Sequence, residues 1–208
     1  MARYLDVHPD NPQPRALQQC VSTLKDGGLV AYPTDSGYAL GCVLDNRDGL
    51  ERIRSIRDLD QHHHFTLMIS EFAQVGHWVD MDNWVFRTLK ANTPGLYTFI
   101  VKAAPEVPKV MQHPKKKSIG LRVPTHRSTL ALLEALGEPL VTSSLILPGE
   151  DEPMTDGWLV KETLDHQVDI VLDDGNCGLN ATTVVDLTGG EPEVLRVGAG
   201  DPTPFVED

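Results

Sequence analysis

Thr34, Asp35 and Ser36 place three short oxygen-bearing side chains in a row, followed by Gly37, inside an otherwise apolar stretch from Leu29 to Cys42. Polar groups at the end of a buried strand can line the mouth of a sheet. The same residues also close simple turns on their own backbone, and both readings stand. Arg122 lies within a second apolar run, Ser118-Ile119-Gly120-Leu121-Arg122-Val123. An arginine in a buried strand needs an anionic partner, which a structural salt bridge supplies. Arg52, Arg54 and Arg57 decorate one helical segment and read as a solvated face. His62, His63 and His64 are consecutive. On an extended chain they point to alternate faces and converge poorly on one metal ion. Lys115-Lys116-Lys117 reads as a solvated loop or as a contact for an RNA phosphate backbone. No aromatics are interleaved with it, so it implies no reading of base sequence.

These groups must be held by elements whose signals are local. Leu29-Val30-Ala31-Tyr32 predicts a buried strand that stops at Pro33, where a ladder donor is missing. Asn11 and Pro12 predict the start of a helix carrying Leu17, Val21 and Leu24, closed by Gly27-Gly28. Asp45 or Asn46 caps a second helix with Leu50, Ile53 and Ile56 on one face. Phe65 to Ile69 is a strand candidate, and Asp82 precedes a helix bearing Val85, Phe86 and Leu89. Strands follow at Leu96 to Val101 and Ser118 to Val123. Thr125 caps a helix carrying Leu130, Leu133 and Leu136, which Gly137 ends. Pro139 to Ser144 is a strand, Trp158 to His166 a helix, and Asp169 to Leu172, Thr182 to Leu187 and Glu193 to Val197 are strands. Strands and helices alternate, but the last third is strand-rich. The pattern predicts one α/β domain over residues 1–208 with a mixed sheet.

Charge is unevenly spread. The net charge is −12, yet residues 102–127 hold seven Lys/Arg and only Glu106. Residues 128–208 hold two bases and seventeen acids. An isolated basic block in an acidic chain suggests a focused anion site. A hydrophobic content of 40% fits a soluble globular protein, and no apolar stretch approaches a membrane span. Met1-Ala2-Arg3 is not followed by a signal-peptide core. Three cysteines without zinc spacing or even pairing are most simply read as thiols in a reducing, cytoplasmic setting.

Tyr32-Pro33-Thr34-Asp35-Ser36-Gly37-Tyr38-Ala39-Leu40-Gly41-Cys42 resembles the YPT-[DE]-[ST]-x-Y-[GA]-LG signature of the YrdC/YciO superfamily, in the spelling of its YciO branch. Further segments are similar in the same order. Thr93-Pro94-Gly95-Leu96-Tyr97-Thr98-Phe99 resembles the family's PGP-[VL]-T-[LF] element, and Ser118 to Pro124 its [TS]-[VI]-[AG]-[VL]-R-x-P segment. Ala181-Thr182-Thr183-Val184-Val185 resembles its hydroxyl-bearing strand, and Leu195-Arg196-Val197-Gly198 its closing motif. The resemblance implies a twisted mixed sheet packed by helices with one large concave basic pocket. It implies nucleotide or substrate contacts at Thr34, Tyr38, Thr66, Thr98, Arg122, Ser144, Thr182 and Arg196. Arg57 stands where the family's KxR motif has its lysine, which makes Arg57 and Ser144 the implied catalytic residues. The motif's arginine falls on Leu59, and the asparagine of the later S-x-N motif falls on Ile146. No GxSxG elbow surrounds Ser144, so a serine nucleophile has little support.

The activity implied is formation of threonylcarbamoyl-adenylate from ATP, L-threonine and bicarbonate with release of pyrophosphate, the first step of t6A modification of tRNA. Magnesium would arrive with the ATP phosphates and not in a protein cage. With two polar motif positions replaced by apolar residues, the implied enzyme is a weak or modified synthase. The alternative is a double-stranded RNA or tRNA binding protein that keeps the fold without the synthesis. The resemblance implies that Arg57, Arg122 and Arg196 converge on one pocket.

Overall fold

The computed structural model describes residues 1–206. In chain order the elements are β1 (Arg3–Asp6), α1 (Pro14–Lys25), β2 (Val30–Thr34), β3 (Gly37–Cys42), α2 (Arg47–Arg57) and β4 (Thr66–Met68). Then come α3 (Val75–Trp78), α4 (Asn83–Asn92), β5 (Tyr97–Lys102), β6 (Ser118–Arg122) and α5 (Arg127–Leu136). The chain continues through β7 (Leu140–Ser144), α6 (Gly157–Leu164), β8 (Ile170–Asp173), β9 (Thr183–Asp186) and β10 (Glu193–Arg196).

Among the described residues all ten strands join one sheet in the order β1-β8-β2-β3-β7-β4-β6-β5-β9-β10. Parallel pairs (β1/β8, β2/β8, β4/β6, β5/β9) mix with antiparallel ones, as the strand-rich last third of the sequence suggests. The strands alternate their apolar residues between two cores. Val30, Tyr32, Ala39, Leu140, Ile170 and Leu172 face α1 and α5. Ala31, Tyr38, Leu40, Val141 and Val171 face the opposite side, with Leu50 and Ile53 of α2 and Val160 of α6. That second core extends under the far half of the sheet through Phe99, Val101, Ile119, Leu121 and Val185.

Local signals set several boundaries as read. The Asn46 side chain accepts from Gly49 N at the start of α2, and Asp82 accepts from Val85 N at the start of α4. Gly27 takes a φ of 85° after α1, a left-handed turn glycine adopts without strain. Three expectations are corrected. The strand at Val30 does not stop at Pro33 but runs through it to Thr34, where it turns into β3. Pro33 pairs with Tyr38, whose N–H donates away from β2, to Met154 O. Pro33 therefore sits at an outward-facing position of the ladder, and its carbonyl accepts from Thr129 Oγ1. Helix α1 begins at Pro14 instead of Pro12, because either proline suits a first helical position and the second is used. Helix α5 is capped by His126 and not by Thr125. The Thr125 N–H and hydroxyl are already committed to Asp35 Oδ2, at 2.8 and 2.9 Å.

Candidate functional site: an arginine-lined cavity on the open half of the sheet

Helices α1 and α5 cover the part of their face formed by β8, β2, β3 and β7 and the Met68 end of β4. Beyond them, Thr66 of β4, Thr98 and Ile100 of β5, and Val184 of β9 line a cavity of about 330 Å³. That volume lies at the lower end of the roughly 300–1,000 Å³ typical of small-molecule sites. Arg57, at the last turn of α2, and Arg196, at the end of β10, reach it from opposite ends of the sequence.

Each guanidinium is seated on neutral groups. Arg57 Nη1 donates to Ser143 Oγ at 2.5 Å and its Nε to the Ile146 carbonyl at 3.2 Å. Arg196 Nε and Nη2 both donate to the Thr182 carbonyl, at 3.1 and 2.8 Å. The Thr182 hydroxyl in turn lies 2.8 Å from that of Thr98. Neither arginine forms an ion pair among the described residues. Burial pushes the Arg57 pKa down to about 10, helped by the charge of Arg196. Burial also lowers Arg196, against the opposing pull of the Glu152 carboxylate. Both still carry a full charge at neutral pH. A partly buried and an exposed cation that repel each other, with no carboxylate among the described lining residues, favour an anion between them.

Of the sequence-derived residues, Arg57, Thr66, Thr98, Ser144, Thr182 and Arg196 share this cavity. Three others lie elsewhere. Thr34 is 1% exposed and closes the hairpin turn, its hydroxyl donating to Gly37 O at 2.7 Å and accepting from Ser36 N. Tyr38 projects into the opposite core, where its hydroxyl donates to Asp173 Oδ1 at 2.7 Å beside Tyr4, which bonds the same carboxylate. Arg122 is 3% exposed and pairs with Asp35. It lines a narrow recess behind Thr66, Thr98 and Ser144, not the cavity itself. The expected convergence of three arginines is therefore a convergence of two. The reason is that Asp35 supplies Arg122 with its anion within the protein.

The histidine run also departs from the alternating pattern. It lies in a turn between α2 and β4, and His62, His63 and His64 all line the cavity. Among the described residues no group of three His, Cys, Asp or Glu side chains could hold a metal ion. His64 Nε2 lies 2.8 Å from Ser118 Oγ, and its ring stacks on that of His113 at 4.8 Å. The lysine turn is adjacent: the N–H groups of Lys115 and Lys116 donate to His113 Nδ1.

Sequence reasoning passed over Ser143. Its neighbour Ser144 matches the motif, but Ser143 holds Arg57 and lies 3.1 Å from His63 Nε2. The only signal was the repeated hydroxyls of Thr142-Ser143-Ser144. Leu59 packs against the core and does not line the cavity, whereas Ile146 does and lends its carbonyl to Arg57.

Fold and site together define an α/β protein with an arginine-lined cavity on the far half of a mixed sheet. The chain belongs to the Sua5/YciO/YrdC family, described under telomere recombination, which residues 22–198 match. It is 46% identical over 206 residues to YciO of Escherichia coli K12, covering 99% of this chain and all of that one. A Haemophilus influenzae protein is 44% identical over 207 residues, with the same shares covered. The crystal structure of Escherichia coli YciO superposes with a TM-score of 0.96 over 99% of this chain and 100% of that one. P. abyssi Sua5, solved in complex with L-threonine, shares the fold at a TM-score of 0.84 and 24% identity, covering 94% of this chain and 57% of that chain.

Proposed function

We propose that the cavity binds an adenylate and that the protein is a weak or modified relative of threonylcarbamoyladenylate synthases, acting in tRNA modification. The observation that carries this reading is the pair of guanidiniums, Arg57 and Arg196, facing one cavity from neutral anchors. Pre-positioned cations stabilise charge as it develops on a phosphate or on departing pyrophosphate. The hydroxyls of Thr66, Thr98, Ser144 and Thr182 offer ribose and phosphate contacts between them. The similarity to a Sua5 structure holding L-threonine supports a cavity of this kind. Among the described residues no Asp or Glu lines it, so magnesium would enter on the nucleotide phosphates. Loss of one such donor typically slows chemistry by about 10²–10³-fold, and Ile146 presents methyl groups where the family motif has an amide.

Calorimetric titration with ATP and AMP, and pyrophosphate release assayed with ATP, L-threonine and bicarbonate, test the reading. Binding should be measurable, and slow release should require all three substrates together. Arg57→Met or Arg196→Met should each weaken binding by about tenfold or more. Ile146→Asn should raise turnover more than affinity. No adenylate binding by the unaltered protein, or affinity indifferent to both arginines, overturns the proposal.

A second reading, RNA binding, draws on one observation. The Lys115–Lys117 turn lies against His113, beside His64 at the cavity rim.

A further inference from the structure

Arginine can only donate, so the Ser143 oxygen facing Arg57 Nη1 must accept. A hydroxyl has one proton of its own, and His63 Nε2 lies within reach of it at 3.1 Å. We propose that His63 is a positioning residue of the anion site: as a neutral imidazole it accepts the Ser143 proton, which turns the hydroxyl lone pairs toward Arg57 and fixes the guanidinium at the cavity. The chain of donors then runs Arg57 Nη1–H to Ser143 Oγ, and Ser143 Oγ–H to His63 Nε2. That direction requires the imidazole proton on Nδ1. The inference rests on reading the cavity as an adenylate site, and it assigns the group that orients one of that site's two cations.

The surroundings of His63 favour the neutral ring. Arg57 and Arg54 face it from α2, His64 and Asp60 from its own turn, and Ser143 from β7. Phe65 meets the ring edge-on at 5.8 Å. Burial and then the positive charge of Arg57 push the imidazole pKa down to about 4, against only a weak opposing pull from Asp60. A protonated ring would offer Nε2–H to Ser143, turn the hydroxyl proton away and set a second cation beside Arg57. Ser143 Oγ could still accept from both groups, so what disfavours a charged His63 is burial and the repulsion between it and Arg57.

The test compares His63→Leu, which fills similar space but accepts nothing, with His63→Gln, whose amide oxygen can accept. The ligand is adenosine 5′-methyl phosphate, a phosphodiester of fixed charge, titrated at neutral pH. His63→Leu should bind about tenfold more weakly and His63→Gln within about threefold of the unaltered protein. Ser143→Ala should cost as much as His63→Leu, and combining the two should cost little more, because both break one chain. Imidazole ¹⁵N NMR of the unaltered protein should show the Nδ1–H tautomer of His63. Equal loss in the Leu and Gln variants, full affinity in His63→Leu, or the Nε2–H tautomer would each overturn the proposal. Failure of the unaltered protein to bind the phosphodiester would instead overturn the adenylate reading, and the tautomer would still decide whether the relay exists.

Discussion

The guanidinium anchors of Arg57 and Arg196 are carbonyls and hydroxyls, not carboxylates, which leaves their charge facing the cavity. Arg122 shows the opposite arrangement, since its charge is already answered by Asp35. The same residue type thus keeps its charge free of an acidic hydrogen-bond partner at two positions and is ion-paired at a third, and the partner decides which. His63 adds a consequence for stability. Its pKa falls from an ordinary 6.5 to about 4 in the folded protein, so between these values the unfolded chain binds more protons. The contribution of the neutral ring is complete above about pH 6.5 and is lost as pH falls toward 4. His64 is lowered too, by burial first and then by His113, so the two act in the same direction. Urea midpoints measured at neutral pH and near pH 5 should fall less in His63→Gln than in the unaltered protein, with unchanged slope. An equal fall in both would mean that His63 titrates normally in the fold.

At the level of elements, the Asp35–Arg122 pair joins the β2–β3 turn to β6, and Asp35 also receives Thr125 just before α5. Both side chains are nearly buried, at 8% and 4% exposure, and removing one partner leaves the other charge stranded. Asp35→Ala should destabilise the protein by about 3–5 kcal/mol, and Asp35→Ala with Arg122→Met should recover much of that. Arg122→Met alone should lower stability and leave adenylate affinity near its original value. A large loss of affinity at unchanged stability would restore Arg122 to the ligand site. The pair also marks where the sequence stopped being legible. Arg122 visibly needed an anion, but nothing in the order of residues told a ligand phosphate from an aspartate 87 positions upstream. Caps at Asn46 and Asp82 were readable because their partners lie three residues away. Thr125 failed as a cap because Asp35 claimed it from across the fold. The cavity itself was half legible: the family resemblance led to Arg57, Thr98, Ser144, Thr182 and Arg196, while Ser143 and the inward turn of three histidines depend on tertiary placement.

Across the whole molecule, a chain of net charge −12 sets two arginines at the cavity and three consecutive lysines in a turn beside it. That geometry separates small anions from RNA. An adenylate needs Arg57 and Arg196 inside the cavity, whereas a long polyanion would also cross Lys115, Lys116 and Lys117 at the rim. Lys116 is 57% exposed, and its nearest acidic contact, Asp186, is 4.0 Å away, so this pair holds it weakly. The acidic remainder of the surface repels a duplex, so any RNA contact is confined to a few phosphates. Each neutralised phosphate adds roughly 0.7–0.9 to the slope of log affinity against log salt. Replacing the three lysines by glutamine should therefore flatten that slope by about 2–3 for a tRNA transcript, while leaving adenylate affinity unchanged. Filter binding over a salt series, alongside calorimetry with AMP, separates the two. RNA affinity that ignores both salt and the lysines would eliminate the RNA reading. Loss of adenylate binding in the same variant would place the lysine turn inside the nucleotide site.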